Sequence, residues 1–129
     1  MIFLDTSYLR GLLLKKDPYH TISKNIRPFL AKETKAINIT VLVEVLNQLD
    51  NNNYRKDVTK LVNCLINLDA FILLSERDYW DALKLYNYYG KSINFADCTI
   101  IDSMVKHNIS RIVSFDSDFD KIKGFERVH

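Results

Sequence analysis

The apolar residues of this chain fall into two kinds of run. Short blocks rich in β-branched and aromatic residues read as buried strands, and longer stretches with apolar positions three or four apart read as helices. Ile2-Phe3-Leu4 is a strand block ended by Asp5, with Thr6 and Ser7 placed to cap a following helix that carries Leu9, Leu12 and Leu13. Asp17-Pro18 closes that helix. Helical spacing resumes at Ile22, Ile26, Phe29 and Leu30, where Pro28 predicts a kink or a restart. Ala36-Ile37-Asn38-Ile39 reads as a second strand, Thr40 as the next cap, and Val41, Leu42, Val45, Leu46 and Leu49 as one apolar helical stripe. Asp50-Asn51-Asn52-Asn53 breaks the chain before a further helix at Val58, Leu61, Val62, Leu65 and Leu68. Ala70 to Leu74 is a third strand block, and Ser75 with Asp78 forms a capping box for an aromatic helix that stops at Gly90. Asn94 precedes a helix with Ile100, Ile101, Met104 and Val105 that ends at Asn108. Arg111 to Ser114 is a fourth strand, Phe115 to Asp120 an acidic turn, and Phe125 to Val128 a last edge strand.

Strands alternating with helices predict an α/β domain of three layers, with a central mostly parallel sheet of four to five strands covered on both faces. No repeat or linker interrupts the pattern, so residues 1–129 read as one domain. In such sheets ligands bind beyond the carboxyl ends of the strands. Asp5 and Asp116 stand just past the first and fourth strands, while Glu44 and Asp97 lie in early helical turns. The topology therefore predicts that acids far apart in sequence meet at one rim.

Composition narrows the classes without choosing among them. With 47% hydrophobic and 26% charged residues, the chain has an ordinary globular balance rather than a disordered one. Two cysteines are too few for a disulfide scaffold and fit a reducing cytoplasm. No run approaches the roughly 18 apolar residues of a membrane span, and no basic-then-apolar leader precedes the first strand, so no membrane partner and no secretion are expected. The net charge of +2 hides an asymmetry: with four acids set aside in one site, 18 basic side chains face 12 acidic ones elsewhere. That balance suits a polyanionic ligand. His20, His107 and His129 are isolated and give no zinc spacing.

Each acid alone has an ordinary explanation: Asp5 as a cap, Glu44 as a solvated helix flank, Asp97 as a helix-dipole partner, Asp116, Asp118 and Asp120 as an acidic turn. Together they are harder to explain that way. Two charges 4 Å apart repel by about 4 kcal/mol at an effective dielectric of 20. Such groups raise their pKa values or bind a cation. Oxygen ligands without paired His or Cys select Mg²⁺ or Mn²⁺ over zinc.

The stretches Ile2-Phe3-Leu4-Asp5-Thr6-Ser7, Val43-Glu44-Val45, Phe95-Ala96-Asp97-Cys98 and Ser114-Phe115-Asp116-Ser117-Asp118-Phe119 occur in an order and spacing that resembles the PIN-domain nucleases, and among them VapC-type toxins of toxin–antitoxin pairs. The resemblance covers nearly the whole chain. It implies a PIN-like fold and a Mg²⁺- or Mn²⁺-dependent ribonuclease with Asp5, Glu44 and Asp97 as core ligands. Asp116 matches the fourth acid, Asp118 a fifth and more variable one, and Thr6 a hydroxyl that orients a ligand or water. It also implies an RNA substrate such as tRNA, a small antitoxin partner that covers the site, and a homodimer. The competing readings are a non-catalytic PIN-fold module that binds RNA or protein, a housekeeping PIN nuclease without an antitoxin, and a phosphatase on a similar sheet. The last is disfavoured because no second acid stands two residues after Asp5.

Three further groups stand out. Arg10, Lys15, Lys16, Lys91, Lys121 and Lys123 lie near the acid-bearing segments, either as phosphate contacts or as plain solvated surface. Tyr86, Tyr88 and Tyr89 exceed what one buried stripe needs and suggest a partner surface. Cys64 and Cys98 both read as buried, inert thiols.

Overall fold

The computed structural model describes residues 1–129. Five strands form one sheet: β1 (Ile2–Leu4), β2 (Lys35–Asn38), β3 (Ala70–Ile72), β4 (Arg111–Val113) and β5 (Glu126–Val128). Their order across the sheet is β3-β2-β1-β4-β5, and every pair is parallel. The sheet is thus wholly parallel rather than mostly so, and β5 completes the upper end of the expected strand count. Six helices flank it in three layers: α1 (Thr6–Leu13), α2 (His20–Leu30), α3 (Ile39–Asn51), α4 (Val58–Ile66), α5 (Glu76–Tyr88) and α6 (Phe95–Lys106). A 3₁₀ turn, Ser117–Lys121, links β4 to β5.

The central strands are short and apolar because helices cover both of their faces. Ile2, Phe3, Ile37, Ile112 and Val113 are fully buried in the sheet, with Val41, Val45 and Leu49 of α3 and Ile100, Ile101 and Met104 of α6 packed in the same core. The chain winds from β1 outward to β3, then crosses to β4 on the other side of β1. The reversal of direction therefore falls between β1 and β4, the place where parallel sheets open a crevice for ligands.

Several local expectations need correction. Asn38, not Thr40, caps α3: its side chain accepts a bond from the Val41 amide at 3.1 Å, so one residue ends the strand and starts the helix. Asp5, not Thr6 or Ser7, holds the N-cap position of α1, and its carboxylate makes no capping bond there. Pro28 does not restart α2, which runs unbroken from His20 to Leu30 with the proline inside its last turn, at the loss of one amide donor to the carbonyl four residues earlier. Cys64 is exposed, because the apolar stripe of α4 turns Leu65 and not Cys64 into the core. Cys98 is buried as expected.

Other terminal signals act as read. Ser75 and Asp78 form a reciprocal capping box at α5, Asn94 accepts the Asp97 amide at 2.8 Å at α6, and Gly90 takes a φ of +58° just past α5. Gly11 has a packing reason of its own. A Cβ there would collide with the Ser23 hydroxyl and press the Tyr19 carbonyl at 3.2 Å, so glycine lets α1 and α2 approach closely. No helix is long and apolar enough to cross a membrane.

Candidate active site

Asp5 follows β1 directly, and its amide bonds the Val113 carbonyl at 3.0 Å, which fixes it against the end of β4. The side chain is 5% exposed. Its Oδ2 accepts hydrogen bonds from Ser7 Oγ and Ser114 Oγ, each at 2.7 Å. Those hydroxyls in turn accept the Phe115 and Asp116 amides, each at 3.0 Å. Each serine has one proton, and the amide contacts leave that proton for Asp5. Burial raises the pKa of Asp5, and the bonds from Ser114 and Ser7 and the Thr6 and Ser7 amides offset part of that rise.

Asp97 lies in the first turn of α6 and is also buried. Its Oδ2 is shielded from solvent and has no hydrogen-bond partner. Its pKa is pushed up to about 8, chiefly by burial, then by the charges of Asp5, Asp116 and Glu44 and by a hydrogen bond with Asp116. A helix N-terminus ordinarily favours an anion. Here burial and three neighbouring carboxylates outweigh it. Glu44, on α3, is half-buried with Oε1 unpartnered, and burial followed by the charge of Asp5 raises its pKa. Asp116 follows β4, and its Oδ1 accepts the Asp118 amide at 2.8 Å. Four of the acids read from the sequence thus feel one another at the crevice between β1 and β4.

Two other residues fall differently. The Thr6 hydroxyl is buried without a partner. Asp118 points toward Lys121, with Nζ 2.8 Å away. Sequence patterning alone does not single out Ser7 and Ser114 as site residues. The available signal is a hydroxyl just past the end of a buried strand, and it becomes meaningful only once β1 and β4 are paired.

The four central acids differ from the rest of the chain in one respect. Every other buried or half-buried carboxylate has a Lys or Arg partner: Asp17 with Arg10, Glu33 with Arg111, Asp78, Asp81 and Asp102 with Lys106, and Asp118 with Lys121. Asp5, Glu44, Asp97 and Asp116 have none. Uncompensated buried charge is costly unless a counterion arrives. The donor set is all hard oxygen, with orphaned atoms on Glu44, Asp97 and Thr6, which fits Mg²⁺ or Mn²⁺. No three His, Cys, Asp or Glu side chains already form a metal-holding group.

A wholly parallel α/β sheet with an acid-lined crevice where its winding reverses defines the class of protein. The chain belongs to the PIN domain family, whose model matches residues 2–124. Its fold is similar to the crystal structure of Mycobacterium tuberculosis VapC20, a sarcin–ricin loop cleaving toxin, with a TM-score of 0.84, 21% identity, and coverage of 99% of this chain and 98% of that one. It is similar as well to a toxin–antitoxin complex from Klebsiella pneumoniae, with a TM-score of 0.73, 17% identity, and coverage of 100% and 97%. No curated protein sequence matches it.

Proposed function

We propose that this protein is a Mg²⁺- or Mn²⁺-dependent endoribonuclease that hydrolyses RNA phosphodiester bonds and serves as the toxin of a toxin–antitoxin pair. The observation that carries the reading is the set of four mutually coupled acids left without a cationic side chain where every other shielded acid has one. Membership of the PIN domain family and the likeness to VapC20 and to a toxin–antitoxin complex support it.

In this reading Asp5, Glu44, Asp97 and Asp116 hold the metal, with Asp118 at the outer edge of the same turn. The bound ion supplies a lowered pKa for a coordinated water and neutralisation of charge on the phosphodiester. The chain's own residues do the rest. Ser7 and Ser114 hold Asp5 Oδ2 in one orientation, as partners behind a ligand do. The proton that burial favours on Asp97 would leave when the site is loaded. The Thr6 hydroxyl, free of any partner, is available to orient a water. Cys98 takes no part: its Sγ turns to the Ile93 carbonyl at 3.8 Å.

A small antitoxin and a homodimer belong to the same proposal. Val43, Tyr79 and Phe95 expose apolar surface in a shallow cavity beside Glu44, the kind of surface a protein partner covers. A purely scaffolding PIN module has no use for four uncompensated acids, so that alternative is weaker.

The test is cleavage of total tRNA and of ribosomal RNA by purified protein with Mg²⁺, with Mn²⁺ and with chelator, beside Asp97→Asn. Discrete fragments that need both metal and Asp97 are expected. Cleavage that survives in Asp97→Asn, or that ignores the chelator, would overturn the assignment. Growth arrest on expression that Asp5→Asn relieves separates a toxin from a housekeeping nuclease.

A further inference from the structure

One turn of helix away from the acids, the character of the surface reverses. Arg10 stands four residues after Thr6 on α1, and Gln48 four residues after Glu44 on α3. Residues four apart share a helix face. Gln48 and Asn52 therefore continue the face of α3 that carries Glu44, and Arg10 the face of α1 that carries Thr6, on two helices that pack together. They line a cavity of about 400 Å³ with Lys15, Lys16 and Asp17 from the segment between α1 and α2.

The cavity is built for an anion. Three of these residues are cationic and one is acidic. That acid is already engaged: Asp17 Oδ2 accepts from Arg10 Nε at 2.8 Å, and Oδ1 accepts the Tyr19 amide at 2.8 Å. The arrangement aims the guanidinium through Nε and leaves its two terminal nitrogens without a bonded partner in the protein. Neither Lys15 nor Lys16 has an ion pair. The Gln48 side-chain amide is unbonded, and Asn52 uses only Nδ2, toward the Gln48 carbonyl at 2.7 Å. The segment is held in place before any ligand arrives. Asp17 ties it at one end, and at the other the Tyr19 ring stacks on Phe115, centroids 4.3 Å apart and planes 6° apart, next to Asp116.

We infer that this cavity is a second binding site, taking a backbone phosphate of the same RNA whose neighbouring phosphodiester lies over the acids. One helical turn advances about 5.4 Å. Arg10 and Gln48 thus stand close enough to Thr6 and Glu44 for one RNA strand to meet both sites. The strand runs over the faces of α1 and α3, from Asp5 and Glu44 toward Lys15 and Lys16. The identity of the ligand rests on the nuclease reading; the anion site itself rests on the residues just described.

The experiment measures binding without cutting. In an Asp97→Asn background, with chelator present, a short single-stranded RNA is titrated at several salt concentrations. The same titration is made with Lys15→Gln/Lys16→Gln added, and separately with Lys24→Gln, an exposed control on α2 outside the cavity. Lys15 and Lys16 are both exposed and unpaired, so folding is not at risk, and circular dichroism checks it. The double variant should bind more weakly and lower the slope of log affinity against log salt by about 0.7 for each phosphate it no longer neutralises. The control should leave the slope unchanged. An unchanged slope in the double variant, or no RNA binding at all, overturns the proposal. If an acidic peptide binds and the double variant loses that binding while its RNA binding and slope stay unchanged, the cavity belongs to a protein partner and the proposal is overturned. Because cleavage is absent from the assay, RNA binding that depends on these lysines stands even if the wild-type protein cuts nothing. Metal-dependent cutting with an unchanged slope refutes only the second site.

Discussion

Ser114 Oγ donates to Asp5 Oδ2 at 2.7 Å across 109 positions of sequence, and the same oxygen of Ser114 accepts the Asp116 amide. One hydroxyl thus sets the orientation of the first acid and the path of the loop that delivers the fourth. Ser114→Ala removes both bonds. Hydrogen bonds to charged groups contribute about 1.5–3 kcal/mol, so the variant should unfold at lower denaturant by an amount in that range. Partners that orient a metal ligand commonly matter by about 10–100-fold, and we expect cleavage to fall by about tenfold. The bond lowers the pKa of Asp5. Without it the carboxylate protonates at higher pH, so the acid limb of the pH–rate profile should move upward. A rate loss with no movement of that limb would mean that Ser114 serves the fold alone.

Asp97 gives the metal-free protein an unusual dependence on pH. Its pKa stands at about 8 in the folded chain against an ordinary 3.8. Between those values the folded protein keeps a proton that the unfolded chain has released. Stability must therefore fall as pH rises from about 4 to about 8 and level off beyond. Asp97→Asn carries no such proton, so its advantage over the wild type should be small at pH 4.5 and grow toward pH 8. Each pKa unit is about 1.36 kcal/mol. Sharing of the proton among coupled acids should leave about 2–4 kcal/mol at pH 8. Thermal melts in chelator at the two pH values check it, and a constant difference between the two proteins would refute it.

Addition of Mn²⁺ or Mg²⁺ should reverse that trend. A ligand that binds only the folded state stabilises by about 2.7 kcal/mol at a hundred times its dissociation constant. Loading requires the carboxylates to lose their proton, so the gain should be larger at pH 8 than at pH 5.5. Calorimetry in two buffers of different ionisation enthalpy should register the proton released. Equal stabilisation of the wild type and of Asp97→Asn at both pH values would place the ion elsewhere on the surface.

The sheet and its helices are legible in the sequence because each layer has its own period and clear end signals. Ile2-Phe3-Leu4 and Arg111 to Val113 are too short for periodicity to type them, but β-branched and aromatic content and the turn signals after them mark strands, and Ser75 with Asp78 marks a helix start by chemistry alone. The convergence of Asp5, Glu44, Asp97 and Asp116 follows from topology, since acids just past the strands and in the early turns of the helices lie toward one rim of a parallel sheet. The partners of those acids are not legible. Ser7 and Ser114 look like ordinary polar residues until the pairing of β1 with β4 brings them to one carboxylate oxygen. Thr40 looks like a cap because hydroxyls cap helices; the cap goes to Asn38, and the Thr40 hydroxyl instead lies 2.9 Å from that of Thr99 on α6. Cys64 shows the limit of spacing on a short helix, where a stripe can be rotated by one residue.

Lys106 supplies a control that separates stability from chemistry. Its Nζ lies 2.8 Å from Asp78 and 2.7 Å from Asp81 on α5, and 2.8 Å from Asp102 one turn earlier on α6. Burial works against its charge, yet the bonds to these three acids outweigh that and raise its pKa. The bond from Lys106, followed by the Ser75 amide, lowers Asp78 to about 2. Lys106→Met leaves three acids facing one another across the α5–α6 contact. The side chain is 36% exposed, so solvent screens the interaction, and the loss should be about 1 kcal/mol at neutral pH. A carboxylate with a depressed folded pKa contributes stability above its ordinary value near 3.8, and that contribution disappears as pH falls toward 2. The gap between variant and wild type should therefore be constant from pH 7 to about 5, close progressively below pH 4, and shrink in high salt. Urea unfolding across that range measures it. RNA cleavage at neutral pH should match the wild type, because none of the three acids reaches the crevice between β1 and β4. A gap that persists at pH 3 would mean that the aliphatic stem of Lys106 packs α5 onto α6 and its charge contributes little.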